Sequence, residues 1–342
     1  MGAGRTLRGS GQAGSGRDVA ERHSSSSLWI FPAMVFLIFV WSLNYIVAKI
    51  GLRELPALAL GSFRVVTAGI VSLPVLLLPR TRKRQGIKVT VQVLEPGTKK
   101  LQMLWTISYL GFFGVVLNQG CFTVGLNYTS VSHSALIIGC APIFILLFSW
   151  ALRLEALTRR KAIGMVLAFV GAAAVGAEQG ANASTSNFPG DLLTLIAGVG
   201  LALYTVLGKR LFAEYSPVRL SLLSNIAAAA LASPIAVWQI RALARAGRLA
   251  TIGLEGWGAV IYMGVLASAV AYVLYFWALR FMTPARLGAV SYLQPIGATL
   301  LGLVLLGEPI TRRVALGGLL IIAGVYAIET HPGDAQPEQE LA

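Results

Sequence analysis

Amide and guanidinium side chains inside long apolar stretches are the groups of this sequence most able to bind a solute. Asn44, Arg64, Asn118 and Gln119 each interrupt a run of mostly aliphatic and small residues. If these runs cross a membrane, a charged group at the centre costs about 2.5–3.5 kcal/mol, so it usually faces a cavity or a partner. Such groups could orient a polar or zwitterionic solute. Hydrogen bonding between helices is the structural alternative.

Aromatic side chains and a further amide could complete such a pocket. Tyr204 and Tyr272 lie in other apolar stretches, and Tyr292 and Gln294 precede Pro295. Aromatic rings would pack against the apolar part of a solute while hydroxyl and amide groups orient its polar part. We therefore predict a substrate pocket near the membrane midplane, formed by Asn44, Arg64, Asn118, Gln119, Tyr204, Tyr272, Tyr292 and Gln294.

Two lysines and a tryptophan near these residues allow two interpretations each. Lys49 and Lys209 follow Asn44 and Tyr204 by five positions. They either extend to the nearest membrane interface, as long basic side chains do, or contact an anionic group of the substrate. Trp41 fits either the pocket or ordinary packing.

Prolines inside two of the apolar stretches are candidate bending points. Pro142 and Pro295 each lie well within a predicted helix. A proline there removes one backbone hydrogen bond and favours a kink, and neighbouring groups can satisfy the freed carbonyl within a membrane. We predict that these two kinks gate the pocket, with ordinary packing as the alternative.

The sequence contains no constellation typical of catalysis or metal binding. It has two cysteines and three histidines, with no metal-type cluster, phosphate-binding loop or catalytic triad among them. Acidic residues such as Glu54, Glu155 and Asp191 lie near the ends of predicted helices. We therefore predict no enzyme activity, no metal and no cofactor. Proton-driven carriers commonly use a buried carboxylate or histidine, so facilitated diffusion, exchange and proton antiport all stay open.

A duplicated phrase shows how the candidate residues are arranged along the chain. EALTRRKAIG at 155–164 and EPITRRVALG at 308–317 are 153 positions apart, an offset that also places Pro142 on Pro295. Nearer the N-terminus an offset of 160 places Lys49 on Lys209. Internal self-similarity fixes architecture, so we predict two copies of one unit.

Apolar runs of bilayer-spanning length recur through both copies. The chain is 56% hydrophobic and 12% charged, whereas soluble domains carry about 25% charged residues. A helix of about 20 apolar residues spans a bilayer, and these runs lack the alternation of barrel strands. We predict an all-α polytopic membrane protein with ten transmembrane helices, at 29–50, 57–79, 103–125, 132–152, 161–179, 190–208, 218–238, 257–279, 286–306 and 314–330.

Five helices per copy is an odd number, so the second copy is predicted to cross the membrane in the opposite sense. Inverted repeats of this kind are a recurrent transporter plan. With a cytoplasmic N-terminus, 20 basic residues fall in inside segments and 6 outside, which favours cytoplasmic termini in the cell (inner) membrane. The basic residues behind the net charge of +14 then orient the protein in the membrane and contact the lipid bilayer. We predict no nucleic-acid partner.

The predicted boundaries follow from these runs. We expect a disordered cytoplasmic N-terminus at 1–27, a first five-helix repeat at 28–180, a second at 181–330 and a cytoplasmic tail at 331–342. The loop at 80–102 is predicted to hold a small hairpin.

Glycines at a spacing of seven mark the last helix of each copy. They lie on one helix face, which favours close packing, and the end helices could carry a homodimer contact. The four residues are Gly164, Gly171, Gly317 and Gly324.

Several segments together resemble the EamA family of the drug/metabolite transporter superfamily. They are WSLNYIVAK at 41–49, FR at 63–64, GLNYTSVSHSALIIGCAPIF at 125–144 and YLQPIGATLLGLVLLGEPIT at 292–311. The resemblance covers about residues 29–330. It implies ten helices, cytoplasmic termini and a central cavity that opens alternately to the two sides.

Members of that family mostly export amino acids and other small metabolites, so the resemblance implies a plasma-membrane exporter with a small-molecule substrate. Amino acids or related compounds are the first expectation, by family analogy alone. Two alternatives stay open: an exchanger of phosphorylated or nucleotide-linked anions, for which Arg64 and Lys209 would supply the positive charge, and a membrane receptor or scaffold that transports nothing.

Overall fold

The protein is an assembly of packed helices. The computed structural model describes residues 29–78, 98–129, 131–179, 188–297 and 311–329, and within these ranges it contains helices and no strand. The predictions for 1–27, for 331–342 and for most of the 80–102 loop lie outside the described residues. The end of that loop, 98–102, already belongs to a helix.

The helices of the N-terminal half are α1 (Ile30–Glu54), α2 (Ala57–Leu77), α3 (Thr98–Gly111), α4 (Asn118–Tyr128), α5 (Val131–Ile138), α6 (Ala141–Ala151) and α7 (Arg159–Gln179). Those of the C-terminal half are α8 (Phe188–Arg210), α9 (Pro217–Arg245), α10 (Leu254–Ile261), α11 (Ala271–Leu279), α12 (Pro284–Val290) and α13 (Arg312–Glu329). Each begins within a few residues of a predicted apolar run or continues one.

Seven of the described helical stretches are long and apolar enough to cross a membrane, judged by length and composition. They are Ile30–Glu54, Ala57–Leu77, Leu101–Tyr128, Ser134–Ala151, Phe188–Ala213, Pro217–Arg245 and Leu254–Leu279. The three other predicted runs are helical where they are described, in α7, in α12 with 294–297, and in α13. The protein is thus an all-helical membrane protein, and the ten-span arrangement stays a prediction.

Two helices contain a widened π-helical segment at matching positions. Phe112–Leu117 joins α3 to α4, and Tyr262–Val270 joins α10 to α11. The offset of 153 carries the first segment onto the second. A π-helical turn frees backbone groups from the usual pattern, and such turns are frequent at functional sites. The indole of Trp41 uses one of them, because its Nε1 donates to the Ala267 carbonyl at 3.3 Å.

Pro142 and Pro295 were predicted to lie well within helices, but the regular helix is interrupted just before each of them. Helix α5 ends at Ile138 and α6 begins at Ala141, so Pro142 lies in the first turn of a new helix. In the second half, the 3₁₀ turn Ser291–Leu293 precedes Pro295 in the same way. A proline is tolerated in a first turn because its missing N–H would have no helical partner there.

The glycine faces of α7 and α13 pack against each other within the chain. A Cβ placed on Gly171 would lie 2.5 Å from the Gly317 carbonyl oxygen, and one on Gly324 would lie 2.5 Å from the Gly164 oxygen. Only glycine permits this approach of two backbones. The last helices of the two copies therefore join the halves, and a homodimer, which stays a prediction, would need another surface.

Candidate functional site

A buried polar cluster lies where the two halves meet, and Arg64 of α2 is its only charged member among the described residues. The Arg64 side chain is 3% exposed. Its Nη1 donates to the Thr123 hydroxyl at 3.4 Å and its Nη2 to the Ser268 hydroxyl at 3.1 Å. Thr123 belongs to α4 and Ser268 to the second π-helical segment, so the guanidinium links the two widened helices.

Gln119 and Asn118 extend the cluster along α4. The Ser268 hydroxyl lies 2.7 Å from Gln119 Oε1 and 2.6 Å from the Met263 carbonyl oxygen. Asn118 accepts a hydrogen bond from the Tyr272 hydroxyl. Its amide nitrogen donates to the carbonyl of Ala197 on α8 at 2.7 Å. These contacts tie residues of the first half to the second half at the centre of the helix assembly.

Aromatic rings form one side of this cluster. The ring centroids of Tyr204 and Tyr272 are 5.5 Å apart, and those of Trp41 and Tyr272 are 6.1 Å apart. Trp41 also contacts Tyr275 at 5.5 Å. Tilted and edge-to-face pairs of this kind are favourable aromatic contacts.

Several polar atoms of the cluster are buried without a hydrogen bond. They are Arg64 Nε, Gln119 Nε2 and the Tyr204 hydroxyl. Asn44 Oδ1 on α1 and the hydroxyl of Tyr292, which packs elsewhere, are likewise buried without one. Buried polar groups in proteins are normally hydrogen-bonded. Those at the centre of a binding site can instead be completed by the ligand.

A small apolar pocket opens beside the aromatic rings, between α1, α11 and α12. It is lined by Met34, Leu37, Trp41, Tyr275, Leu287 and Gln294, with further contributions from neighbouring residues of α1 and α12. Trp41 and Tyr275 belong to both the aromatic wall and this pocket. The polar cluster and the apolar pocket are therefore adjacent.

The structure brings five of the predicted pocket residues together, but Tyr292 lies elsewhere. The five are Arg64, Asn118, Gln119, Tyr204 and Tyr272. Asn44, with a side chain 6% exposed, lies on α1, and Gln294 lines the apolar pocket. Tyr292 packs in a different cluster, among Leu146, Met165 and Ile321. Tyr292 lies within the 3₁₀ turn Ser291–Leu293, where it packs against α7 and α13.

Sequence reasoning missed Ser268 and Thr123, the two hydroxyls that hold Arg64. Neither residue differs from the many serines and threonines of membrane helices that bond their own backbone, as Thr123 does with the Gln119 carbonyl at 2.8 Å. The offset of 153 places Ser268 on Val115, an apolar residue. The repeat therefore did not mark Ser268 as a site residue either.

Lys49 and Lys209 bind helix ends. Lys49 Nζ donates to the carbonyls of Leu126 at 2.6 Å and Thr129 at 2.9 Å. Lys209 Nζ donates to the carbonyls of Leu279 at 2.9 Å and Met282 at 3.2 Å. The acceptors are themselves related by the offset of 153. Each lysine satisfies carbonyls that a helix end leaves unpaired and adds a positive charge where the helix dipole is negative.

Glu155 pairs with Lys161, the lysine that follows the two arginines of the repeated phrase. Its Oε2 lies 2.9 Å from Lys161 Nζ, and both side chains are almost fully buried. Its Oε1 accepts a hydrogen bond from the backbone N–H of Ala285 at 2.9 Å, at the start of α12. The carboxylate therefore holds the α6–α7 connection against the second half.

Comparison with known proteins agrees with this architecture. The EamA-like transporter family matches the chain twice, over residues 28–177 and 188–330. An uncharacterized transporter of Archaeoglobus fulgidus is 25% identical over 88% of this chain and 98% of its own length. The uncharacterized inner membrane transporter YedA of Escherichia coli (strain K12) is 28% identical over 89% of this chain and 94% of its own length.

A solved crystal structure has the same fold. It matches with a TM-score of 0.64 and 20% sequence identity, over 87% of this chain and 95% of the other. With both copies of the family unit present and a buried polar cluster between them, the chain belongs to the EamA-like transporter family of membrane transporters.

Proposed function

We propose that this transporter exports small metabolites, amino acids or related compounds first, across the cell (inner) membrane by alternating access. Two inverted five-helix repeats would rock about a site at the Arg64 cluster, with both termini in the cytoplasm. Transporters built from inverted repeats bind substrate near the midplane, at the interface of the repeats.

The matched pair of lysine caps is the observation that best supports two equivalent, movable halves. Lys49 holds the end of α4 and Lys209 holds the end of α11, with acceptors at equivalent positions of the repeat. In an inverted arrangement these caps lie toward opposite sides of the membrane. The helix interruptions before Pro142 and Pro295 would then be the bending points on each side.

The anion-exchange alternative is less favoured. It would need a second positive charge beside Arg64, and Lys209 was the proposed source. The Lys209 ammonium instead contacts the carbonyls of Leu279 and Met282. A single buried guanidinium suits a solute with one negative group better than a nucleotide or a sugar phosphate.

Counterflow in liposomes tests the proposal. Purified protein would be reconstituted with a preloaded panel of amino acids, organophosphates and nucleotide sugars, and entry of labelled solute would be followed. Saturable exchange of amino acids is expected. The Asn44→Ala variant is expected to lose it, whereas Asn127→Ala, the same substitution at an exposed position of α4, is expected to retain it. Well-folded protein that exchanges none of these solutes would contradict the proposal.

A further inference from the structure

Helices α6 and α12 are short segments, and each adjoins an interruption of regular helix at one end. Helix α6 follows the break that precedes Pro142, and α12 ends at the 3₁₀ turn Ser291–Leu293 that precedes Pro295. Sharp bends of helices occur at such interruptions, so either segment can tilt while the rest of its span keeps its packing. By the predicted topology, the opposite ends of the two segments, Ala151 of α6 and Pro284 of α12, lie on the cytoplasmic side.

The two segments pack against each other across the two halves. A Cβ placed on Gly288 of α12 would lie 3.0 Å from Ile145 Cδ1 and 3.5 Å from Pro142 Cα on α6. We call this contact of Pro142, Ile145 and Gly288 the α6–α12 seam. Because the Ile145 side chain is only 1% exposed, the seam is closed to solvent in this structure.

Glu155 uses its two carboxylate oxygens on different halves of the protein. Its Oε2 pairs with Lys161 Nζ at 2.9 Å, and Lys161 belongs to α7 of the same half. Its Oε1 accepts from the Ala285 N–H at 2.9 Å, at the start of α12 in the other half. The first N–H groups of a helix have no partner within that helix, and the helix dipole favours an anion beside them. The bond to Ala285 can therefore break while the carboxylate keeps a cationic partner.

Glu54 provides a comparison, because it binds a helix start of the second half from the end of a continuous helix. Its Oε2 accepts from the N–H groups of Gly253 at 2.6 Å and Gly256 at 3.2 Å, at the start of α10. Glu54 ends α1, a helix of 25 residues without interruption. A Cβ on Gly51 would lie 2.9 Å from Ala259 Cβ, so α1 and α10 are in close contact beside Glu54. We expect this contact to stay formed throughout transport.

We propose that Glu155 is the latch of a cytoplasmic gate: its bond to the Ala285 N–H holds the α6–α12 seam shut, and this bond breaks once in each transport cycle. The inference rests on the proposed function, because only a carrier needs a gate. On opening, α6 and α12 separate at their cytoplasmic ends, the Ala285 N–H is exposed to water, and Glu155 stays paired with Lys161. The conformation described here is then the one closed on the cytoplasmic side.

A reversible disulfide across the seam tests whether the seam opens. Ile145→Cys with Gly288→Cys is suitable, because the two Cβ atoms would be 3.6 Å apart, within the range of about 3.5–4.5 Å found in disulfides. Glu155 stays in place, and Cys121→Ala with Cys140→Ala removes the native thiols. Counterflow is expected to be lost on oxidation and restored on reduction. A contact with only a structural role would leave counterflow unchanged.

A disulfide at the pivot of α6 is the matched control. Ala141→Cys with Gly198→Cys also places the two Cβ atoms 3.6 Å apart, and it also joins α6 to the second half, through α8. Ala141 is the first residue of α6, so this bond leaves the far end of the helix free to tilt. Counterflow is expected to be equal in the oxidised and the reduced protein. Equal loss of counterflow with both disulfides would overturn the assignment of movement to the seam.

Labelling of a cysteine in the seam tests Glu155 itself and does not depend on transport. In the same background, Ile145→Cys would be reacted with a membrane-impermeant maleimide added to the cytoplasmic face of membrane vesicles. Glu155→Leu with Lys161→Met removes both charges, and such replacement of a buried ion pair is often neutral for folding. The labelling rate is expected to rise at least about tenfold, since a hydrogen bond to a charged group no longer holds the seam shut. Glu54→Leu, which removes the other carboxylate from a helix start, should leave the rate unchanged.

Failure of the latch and failure of the proposed function give different results. Unchanged labelling in the Glu155→Leu and Lys161→Met variant, or full counterflow with the seam disulfide formed, would overturn the latch even if the wild-type protein transports. Faster labelling in that variant, together with no counterflow of any solute by the wild-type protein, would support the latch and count against the proposed export.

Discussion

The helix-end contacts of the two halves are duplicated, whereas the contacts at the centre are not. Lys49 and Lys209 bind carbonyls at equivalent positions of the repeat, and the glycine faces of α7 and α13 meet with the same symmetry. Arg64 has no such counterpart. Its repeat mate is Ser224, which bonds the Leu220 carbonyl of its own helix at 2.7 Å.

The difference between duplicated and unduplicated contacts indicates a different role for the periphery and for the centre. A contact that both halves need for folding is retained in both copies, because each copy has the same helix ends to cap and the same backbones to join. One bound solute needs only one copy of each binding group, so Arg64 has no need of a duplicate. We therefore expect the substrate to bind at the asymmetric centre. The duplicated contacts at the periphery are expected to stabilise the fold. The substitutions below test that division.

The largest loss of stability is expected at the glycine contact between α7 and α13. Gly171→Leu would place side-chain atoms against the backbone of Gly317 and Ile321, which cannot give way, and should cost roughly 3 kcal/mol or more. Gly318→Leu is the control, because no described atom lies within 4 Å of a Cβ there. Thermal unfolding in detergent measures both. Equal melting temperatures for the two variants would show that the symmetric contact contributes little.

The lysine caps should give the next largest effect, and the same effect in both halves. Lys49→Met and Lys209→Met each remove hydrogen bonds from an ammonium group to two carbonyls, which is expected to cost about 1.5–3 kcal/mol. The double variant should be additive within about 0.5 kcal/mol, since the carbonyls that the two lysines are described to bind are different. Arg53→Met, at an exposed position, is the control. A large loss of stability for only one of the two lysine variants would contradict the expectation that the two caps are equivalent.

A smaller loss of stability is expected at one pair of contacting residues whose types differ between the two halves. Tyr45 packs edge-to-face on Phe122 at 5.2 Å, and their repeat mates Thr205 and Tyr275 share a hydrogen bond of 2.9 Å. Tyr275→Phe makes the second half resemble the first and should cost about 1 kcal/mol. Tyr128→Phe, at an exposed tyrosine, should be neutral. If Tyr275→Phe is also neutral in thermal unfolding, the hydrogen bond between Thr205 and Tyr275 does not contribute to stability.

The smallest loss of stability is expected at the centre. Arg64→Met removes a buried cation and leaves an apolar side chain of similar length, a replacement that is often neutral or stabilising. Counterflow should nevertheless fall at least about tenfold. Stability and transport would be measured on the same preparation. A drop in melting temperature as large as that of Lys49→Met would make Arg64 a structural residue and remove the contrast between centre and periphery.

Much of the helix framework could be predicted from the sequence. Hydropathy located seven of the apolar runs to within a few residues of the described helices. The two copies of one unit stay a prediction from the repeated phrase. The glycine spacing predicted close packing of α7 and α13, although not that each would be the other's partner. These inferences succeed because hydropathy and residue size act locally along a helix.

The polar contacts could be predicted only in part. Mid-membrane amides and Arg64 were identified because polar groups are rare in such runs. The lysines were interpreted as interfacial or substrate-binding, yet they cap helices 77 and 70 positions away in sequence. Tyr292 was placed in the pocket because it precedes Pro295, and the turn before that proline sends it elsewhere.

The sequence by itself determined that this is a membrane protein made of helices, because burial in lipid requires apolar helices. It also predicted two related units, because duplication leaves matching residues. Only the tertiary structure decided which polar groups meet. Arg64 and Ser268 are 204 positions apart, and the widened π-helical turns at Phe112–Leu117 and Tyr262–Val270 have no sequence signature. Their encounter follows from how the two halves pack, since a hydrogen bond forms only where packing brings donor and acceptor within about 3 Å.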